Sequence, residues 1–238
     1  MMKLIRLVIY ALLANLLFIN YVHAAAVSAT PTVYQMTMKK VELCTSSACT
    51  TTTVLAEKDG TFNIASAAAG ADVGSWISGF ALEVGTTYTH IKATMDPSFT
   101  IRGYVTDDDS NFISEDYCAT IATPTDTASS HTTHAITAGS NATTTAEMTW
   151  VVPDMTGGTY GDLTSSFATK GITKVNGAST FYWTGALTSS FTPTASSAPK
   201  ITISFDVTGQ LQAGGNGANP GLCKIWVMPP ACTVTLTE

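Results

Sequence analysis

Residues 33–44, VYQMTMKKVELC, carry the clearest structural pattern in this chain of 238 residues. Tyr34, Met36 and Met38 are apolar at every second position, with Gln35 and Thr37 between them. Side chains of a strand point alternately to its two faces, so the segment reads as a strand with one buried and one wet side. At Lys39-Lys40 the parity flips, and Val41 and Leu43 become the apolar set. A β-bulge produces that flip, and so does a strand end.

The same period recurs along the chain. Phe80, Leu82 and Val84 alternate, as do Phe99, Ile101, Gly103 and Val105, and Ala146, Met148, Trp150 and Val152. Phe181 and Trp183, then Ile201, Ile203, Phe205 and Val207, then Cys232, Val234 and Leu236 continue it. The intervening residues are mostly Thr, whose β-branch suits a pleated surface. The best helical segment is Ile64 to Gly70, which is too short to hold as a helix by itself. Turn signals at Asp59-Gly60, Val84-Gly85, Asn176-Gly177 and Gly214 to Gly221 separate the strands. The fold class expected is all-β: an antiparallel β-sandwich, jelly-roll or immunoglobulin-like.

The first residues have a different character. Lys3 and Arg6 precede an apolar run from Leu7 to Phe18, and Val22-His23-Ala24 offers small residues at a cleavage site. This is the pattern of a secretory signal peptide over residues 1–24, and the run is too short to span a membrane comfortably. Residues 25–238 are then one exported sandwich domain that is secreted, periplasmic or displayed at the cell surface. The low-complexity stretch 123–144 is a long Thr/Ser-rich loop within it, or else the divide between two small sandwiches. Net charge is −6, and charged residues are only 12% of the chain. An acidic, lysine-poor surface disfavours nucleic acid and anionic membranes as partners.

Five cysteines in an exported chain imply disulfides. Cys44 and Cys49 form a tight pair after the first strand, and Cys223 and Cys232 flank the Pro229-Pro230 corner as a hairpin staple. A hairpin symmetric about the prolines would instead set Cys232 opposite Val227, so the pairing of Cys118, Cys223 and Cys232 stays open. The one left over is a buried thiol or an intermolecular link.

Asp107, Asp109 and Asn111 have the one-three-five spacing of a calcium loop, with Glu115 close behind. Phe112 stands where an EF-hand loop needs Gly, and Cys118 where it needs Glu, so a solvated acidic loop competes with that reading. His131 and His134 have a spacing that places them on opposite faces of a strand, and two exposed loop histidines is the simpler account. Asn141-Ala-Thr143 is a glycosylation sequon. Trp76, Tyr160, Tyr182 and Trp226 are candidates for a sugar platform. Tyr182 points opposite to Phe181 and Trp183, and Trp226 opposite to Ile225 and Val227. No nucleophile elbow, zinc-protease helix or phosphate loop is present in the sequence.

Met38-Lys-Lys-Val-Glu-Leu-Cys44, Asp59-Gly-Thr-Phe62, Gly85-Thr-Thr-Tyr-Thr-His-Ile91, Phe99-Thr-Ile-Arg-Gly103, Ile201-Thr-Ile-Ser-Phe-Asp-Val207 and Pro229-Pro230 stand out together. With these residues the chain resembles a loose group of exported, Thr-rich bacterial β-sandwich proteins. The resemblance implies a surface or envelope location and a sandwich fold; it implies no substrate. The function expected first is a non-enzymatic structural or adhesive role, with self-association through edge strands and through the extended segment Ala26 to Val33. A calcium-assisted carbohydrate-binding module acting on a glycan, with Tyr182 and Trp226, is the alternative. An exported hydrolase using His131 or His134 is the third.

Overall fold

In the strand that contains Tyr34, Lys39 interrupts the ladders to both neighbours. Pairing runs through Met38 and resumes at Lys40 on either side, the register shift that the flip in parity calls for. The computed structural model describes residues 27–66, 73, 76–78, 80–106, 117–122, 136–140, 143–157, 162–197, 199–215 and 223–237. The segment 1–24 expected to be a signal peptide, Asp107, Asp109, Asn111, Glu115, His131, His134 and most of 123–144 lie outside the described residues.

In chain order the strands are β1 (Val27–Ala29), β2 (Val33–Cys44), β3 (Thr52–Asn63), β4 (Tyr88–Met95), β5 (Ser98–Arg102), β6 (Tyr104–Thr106), β7 (Tyr117–Ala119) and β8 (Ile136–Ser140). There follow β9 (Met148–Val151), the one-turn helix α1 (Thr164–Ala168), β10 (Ile172–Lys174), β11 (Phe181–Phe191), β12 (Lys200–Asp206), β13 (Leu211–Gly215), β14 (Cys223–Val227) and β15 (Ala231–Thr237). All pairings are antiparallel, and the sheets pack against each other as an all-β sandwich.

The larger sheet is built around β2. Strand β3 pairs along one side of it, while β4 and then β5 run in line along the other. Strand β11 pairs β4, β9 pairs β5, and β10 pairs β11. The second sheet has the order β1-β13-β14-β8-β7-β6, and its ends β1 and β6 also lie against each other. It therefore curls back on itself and leaves little open edge. Strands β12 and β15 form a separate ribbon that lies against β11. Strands from both sides of 123–144 share each of the two large sheets, and one cluster of buried side chains runs through them.

Alternation decides what is buried. Tyr34, Met36, Val41, Leu43, Ile91, Ala93, Ile101 and Phe181 face the core, and the residues between them face out. The Tyr34 hydroxyl donates to the Met228 carbonyl at 3.2 Å, which satisfies it, and burial pushes its pKa well above the ordinary tyrosine range. An apolar cavity of about 70 Å³ lies beside Tyr34, Met36, Met38, Met95 and Cys232. It is roughly half the size of a void that takes up benzene, and so apolar a void holds no water, so it is a packing gap.

Val27–Ala29 pairs β13 of the same chain, and Val33 pairs Arg102. Two expectations are corrected. Phe80, Leu82 and Val84 form no strand. The chain there turns at Val84-Gly85, with Val84 61% exposed and the Gly85 N–H donating to the Pro193 carbonyl. Of the helical candidate Ile64 to Gly70, residues 67–70 lie outside the described residues, and Ile64 to Ser66 is a turn; α1 at Thr164–Ala168 is anchored in the core by Phe167.

Cys223 and Cys232 are not bonded to each other. Cys223 pairs with Cys118, and Cys232 keeps a free thiol. The reason is topological. Pro229-Pro230 carries the chain from β14 in the curled sheet to β15 in the separate ribbon, where Cys232 stands opposite Phe205. Cys223 sits at the far end of β14 and faces the same way as Cys118, because their β8 partners Ala138 and Ser140 are two residues apart. Cys44 and Cys49 are bonded as expected.

Candidate functional site

The outward positions of β4 and β11 carry the polar side chains of the larger sheet. His90, Lys92 and Thr94 alternate with the buried Ile91, Ala93 and Met95. Register sets Lys92 opposite Thr184, Thr94 opposite Tyr182, and His90 opposite Ala186. Strand β10 adds Thr173 beside Tyr182. Of these, His90, Lys92, Thr173, Tyr182, Thr184 and Ala186 line a groove of about 480 Å³, within the usual size of a ligand site.

Two built walls flank it. On one side the loop after β2 is closed by the Cys44–Cys49 disulfide, with a Cα separation of 4.9 Å. Cys49 adopts φ 47°, left-handed for a residue with a side chain, and the Thr89 hydroxyl donates to the Thr45 carbonyl at 3.0 Å. Ser47, Ala48 and Cys49 of this loop face the groove. On the other side stand Ala168 of α1 and Gly171. The Asp162 carboxylate accepts the Thr164 N–H at 2.8 Å in the first turn of α1, and hydrogen bonds from Thr164 hold its pKa below the usual carboxylate range. Gly171 has φ 72°, and a Cβ there would stand 2.3 Å from the Thr184 carbonyl oxygen. Only glycine fits that approach.

Behind the second wall lies a buried ion pair. Lys174 falls on the inward side of β10, its side chain is fully buried, and its ammonium donates to Asp154. Asp154 also accepts the Gly177 N–H at 3.0 Å, while the Asn176 amide spans Met155 and Thr156. The turn between β10 and β11 is thereby fastened to the segment after β9.

Lys92 belongs to a charge arrangement that extends beyond the groove lining. Glu42 is 6% exposed and takes the Thr52 hydroxyl at 3.0 Å. Lys40 lies 3.3 Å and Lys92 3.8 Å from its carboxylate, so two cations share one buried anion. The exposed Glu57 lies 3.7 Å from Lys40. Lys92 also stands over the Tyr182 ring, 4.6 Å from its centroid.

Of the aromatics expected to form a sugar platform, only Tyr182 among the described residues lines the groove. Trp226 is on the curled sheet, its indole N–H donates to Gln212 at 3.1 Å, and its ring lies over Gly214. Trp76 is laid on Gly60 of β3 and packs edge-on against Phe62. Tyr160 lies outside the described residues. The pair His90 and Lys92 went unmarked as a site in the sequence, although both sit on the polar parity of the Tyr88–Met95 strand. Their signal is visible only once β11 and the disulfide loop are placed around them. Cys232 is no candidate nucleophile: burial pushes its pKa up to about 12.

Compared with known protein families, with curated proteins and with solved structures, the chain matches none.

Proposed function

We propose that this chain is a non-enzymatic, exported β-sandwich of the cell surface or envelope that serves as an adhesive binding module. The observation that carries the reading is the preformed groove on the outer face of the larger sheet. A disulfide braces one wall and a glycine-tight corner with a buried ion pair braces the other. Rigid walls around a polar floor favour binding, since little ordering is needed when a ligand arrives. Two disulfides fit an oxidising compartment. Thr-rich outer faces with few charges fit display at a surface. Edge-strand association is disfavoured at β3, where Glu57, Lys58 and Asp59 stand along the open edge.

The full chain, produced in an exporting bacterial host, tests this. The expected result is a leaderless, oxidised protein outside the cytoplasm that is retained on polysaccharide-coated surfaces. Ala186→Trp, which fills the exposed floor of the groove, should abolish retention without loss of folding. Retention in the cytosol with reduced thiols, or adhesion unaffected by Ala186→Trp, overturns it.

A further inference from the structure

We infer that the groove is built for an acidic glycan, a saccharide bearing carboxylate groups, with Lys92 as the anion-recognising side chain and His90 as a hydrogen-bonding neighbour. The inference rests on the binding reading above and deepens it. Lys92 is the charged side chain among the described residues that line the groove, with no carboxylate among them, on a chain whose net charge is −6. A local cation on an acidic body selects anions and repels the body's own kind.

The ammonium of Lys92 is positioned and still has donors to give. It is held over Tyr182 and 3.8 Å from Glu42, and makes no hydrogen bond among the described residues. Glu42 does not neutralise it outright, because Lys40 sits nearer to the same carboxylate. His90 Nδ1–H donates to the Thr89 hydroxyl at 2.8 Å, because that hydroxyl's own proton goes to the Thr45 carbonyl, and Nε2 is left as an acceptor for a sugar hydroxyl. As residues i and i+2 on one face of β4, the two stand roughly 7 Å apart along the strand, a spacing that a sugar carboxylate and its ring hydroxyls can bridge. Thr173, Thr184 and Ser47 supply hydroxyls for the remaining ring oxygens, and the Tyr182 ring supplies an apolar edge.

The test is calorimetric titration of the full exported chain with tetragalacturonate and with its methyl ester, which keeps the rings and removes the charges. The acid should bind at least tenfold more tightly than the ester. Lys92→Met should cut binding of the acid at least tenfold and leave the ester unchanged; Lys40 and Thr52 still partner Glu42 in that variant. His90→Gln, which disturbs no ion pair, should cut it severalfold. Equal binding of acid and ester, or unchanged affinity in both variants, overturns the assignment of ligand class. If Ala186→Trp still abolishes adhesion in that case, the binding reading stands without it. No binding of either saccharide overturns the assignment as well, and adhesion unaffected by Ala186→Trp brings down the reading beneath it.

Discussion

Asp154→Ala should be among the most damaging single polar substitutions in this protein. It leaves the Lys174 ammonium, whose side chain has no solvent exposure, without its anion. Stranding one member of a buried pair costs about 3–5 kcal/mol. The lost acceptor for the Gly177 N–H adds about 1 kcal/mol. With a urea m-value of about 2 kcal/mol per molar, the midpoint should fall by roughly 2–3 M. Replacing both partners, Asp154→Ala with Lys174→Met, removes the stranded charge and keeps most of the aliphatic stem. The double variant should recover all but about 1 kcal/mol, the share of the Gly177 contact. Equilibrium urea unfolding followed by tryptophan fluorescence measures both. A cost below 1 kcal/mol for Asp154→Ala, or a double variant as weak as the single, would show that the pair does not hold this turn.

The two disulfides should differ in effect. Removing Cys118–Cys223, which closes a loop of 105 residues in sequence separation, should cost about 4.7 kcal/mol on the chain-entropy account, against about 2 for Cys44–Cys49. Calorimetric melting of the two double-alanine variants would contradict this if the short loop mattered more. Gly171→Ala should be destabilising through its clash with the Thr184 carbonyl, whereas Gly177→Ala, with open space at its Cβ, should lose only the cost of a left-handed backbone. Cys232, which is half-buried, should be alkylated more slowly in the native state at pH 8.5 than in denaturant; equal rates would refute its shielding. Burial raises the folded pKa of both Cys232 and Tyr34, so folding favours their protonated forms. Their contribution should be whole below pH 9 and decline from pH 9 to about 12 as Cys232 and then Tyr34 ionise more readily in the unfolded chain. A flat stability profile across that range would count against it.

Strand identity was legible because it depends on a local rule. Alternation in Tyr34 to Met38, in Phe99 to Val105 and in Ile201 to Val207 places apolar side chains on one face, and a two-layer β core is the compact way to bury them. The bulge at Lys39 announced itself in the same manner, since an extra residue must reverse parity. The Cys44–Cys49 bond also needed only proximity in sequence. Phe80 to Val84 shows where the rule fails: alternation is permissive, and a strand also needs a partner.

What sequence could not contain was which surfaces meet. Cys223 reaches Cys118 across a separation of 105 residues because β7 and β14 both border β8, and Pro229-Pro230 sends Cys232 to another layer. Lys174 finds Asp154, and Lys92 finds both Tyr182 and Glu42, only through strand order and register. Periodicity is encoded between neighbours along the chain, so composition and spacing determined that this is an all-β protein with hydroxyls outward. The groove arises from contacts between strands distant in sequence, and only the packed sheets bring its cation, its aromatic ring and its two walls together.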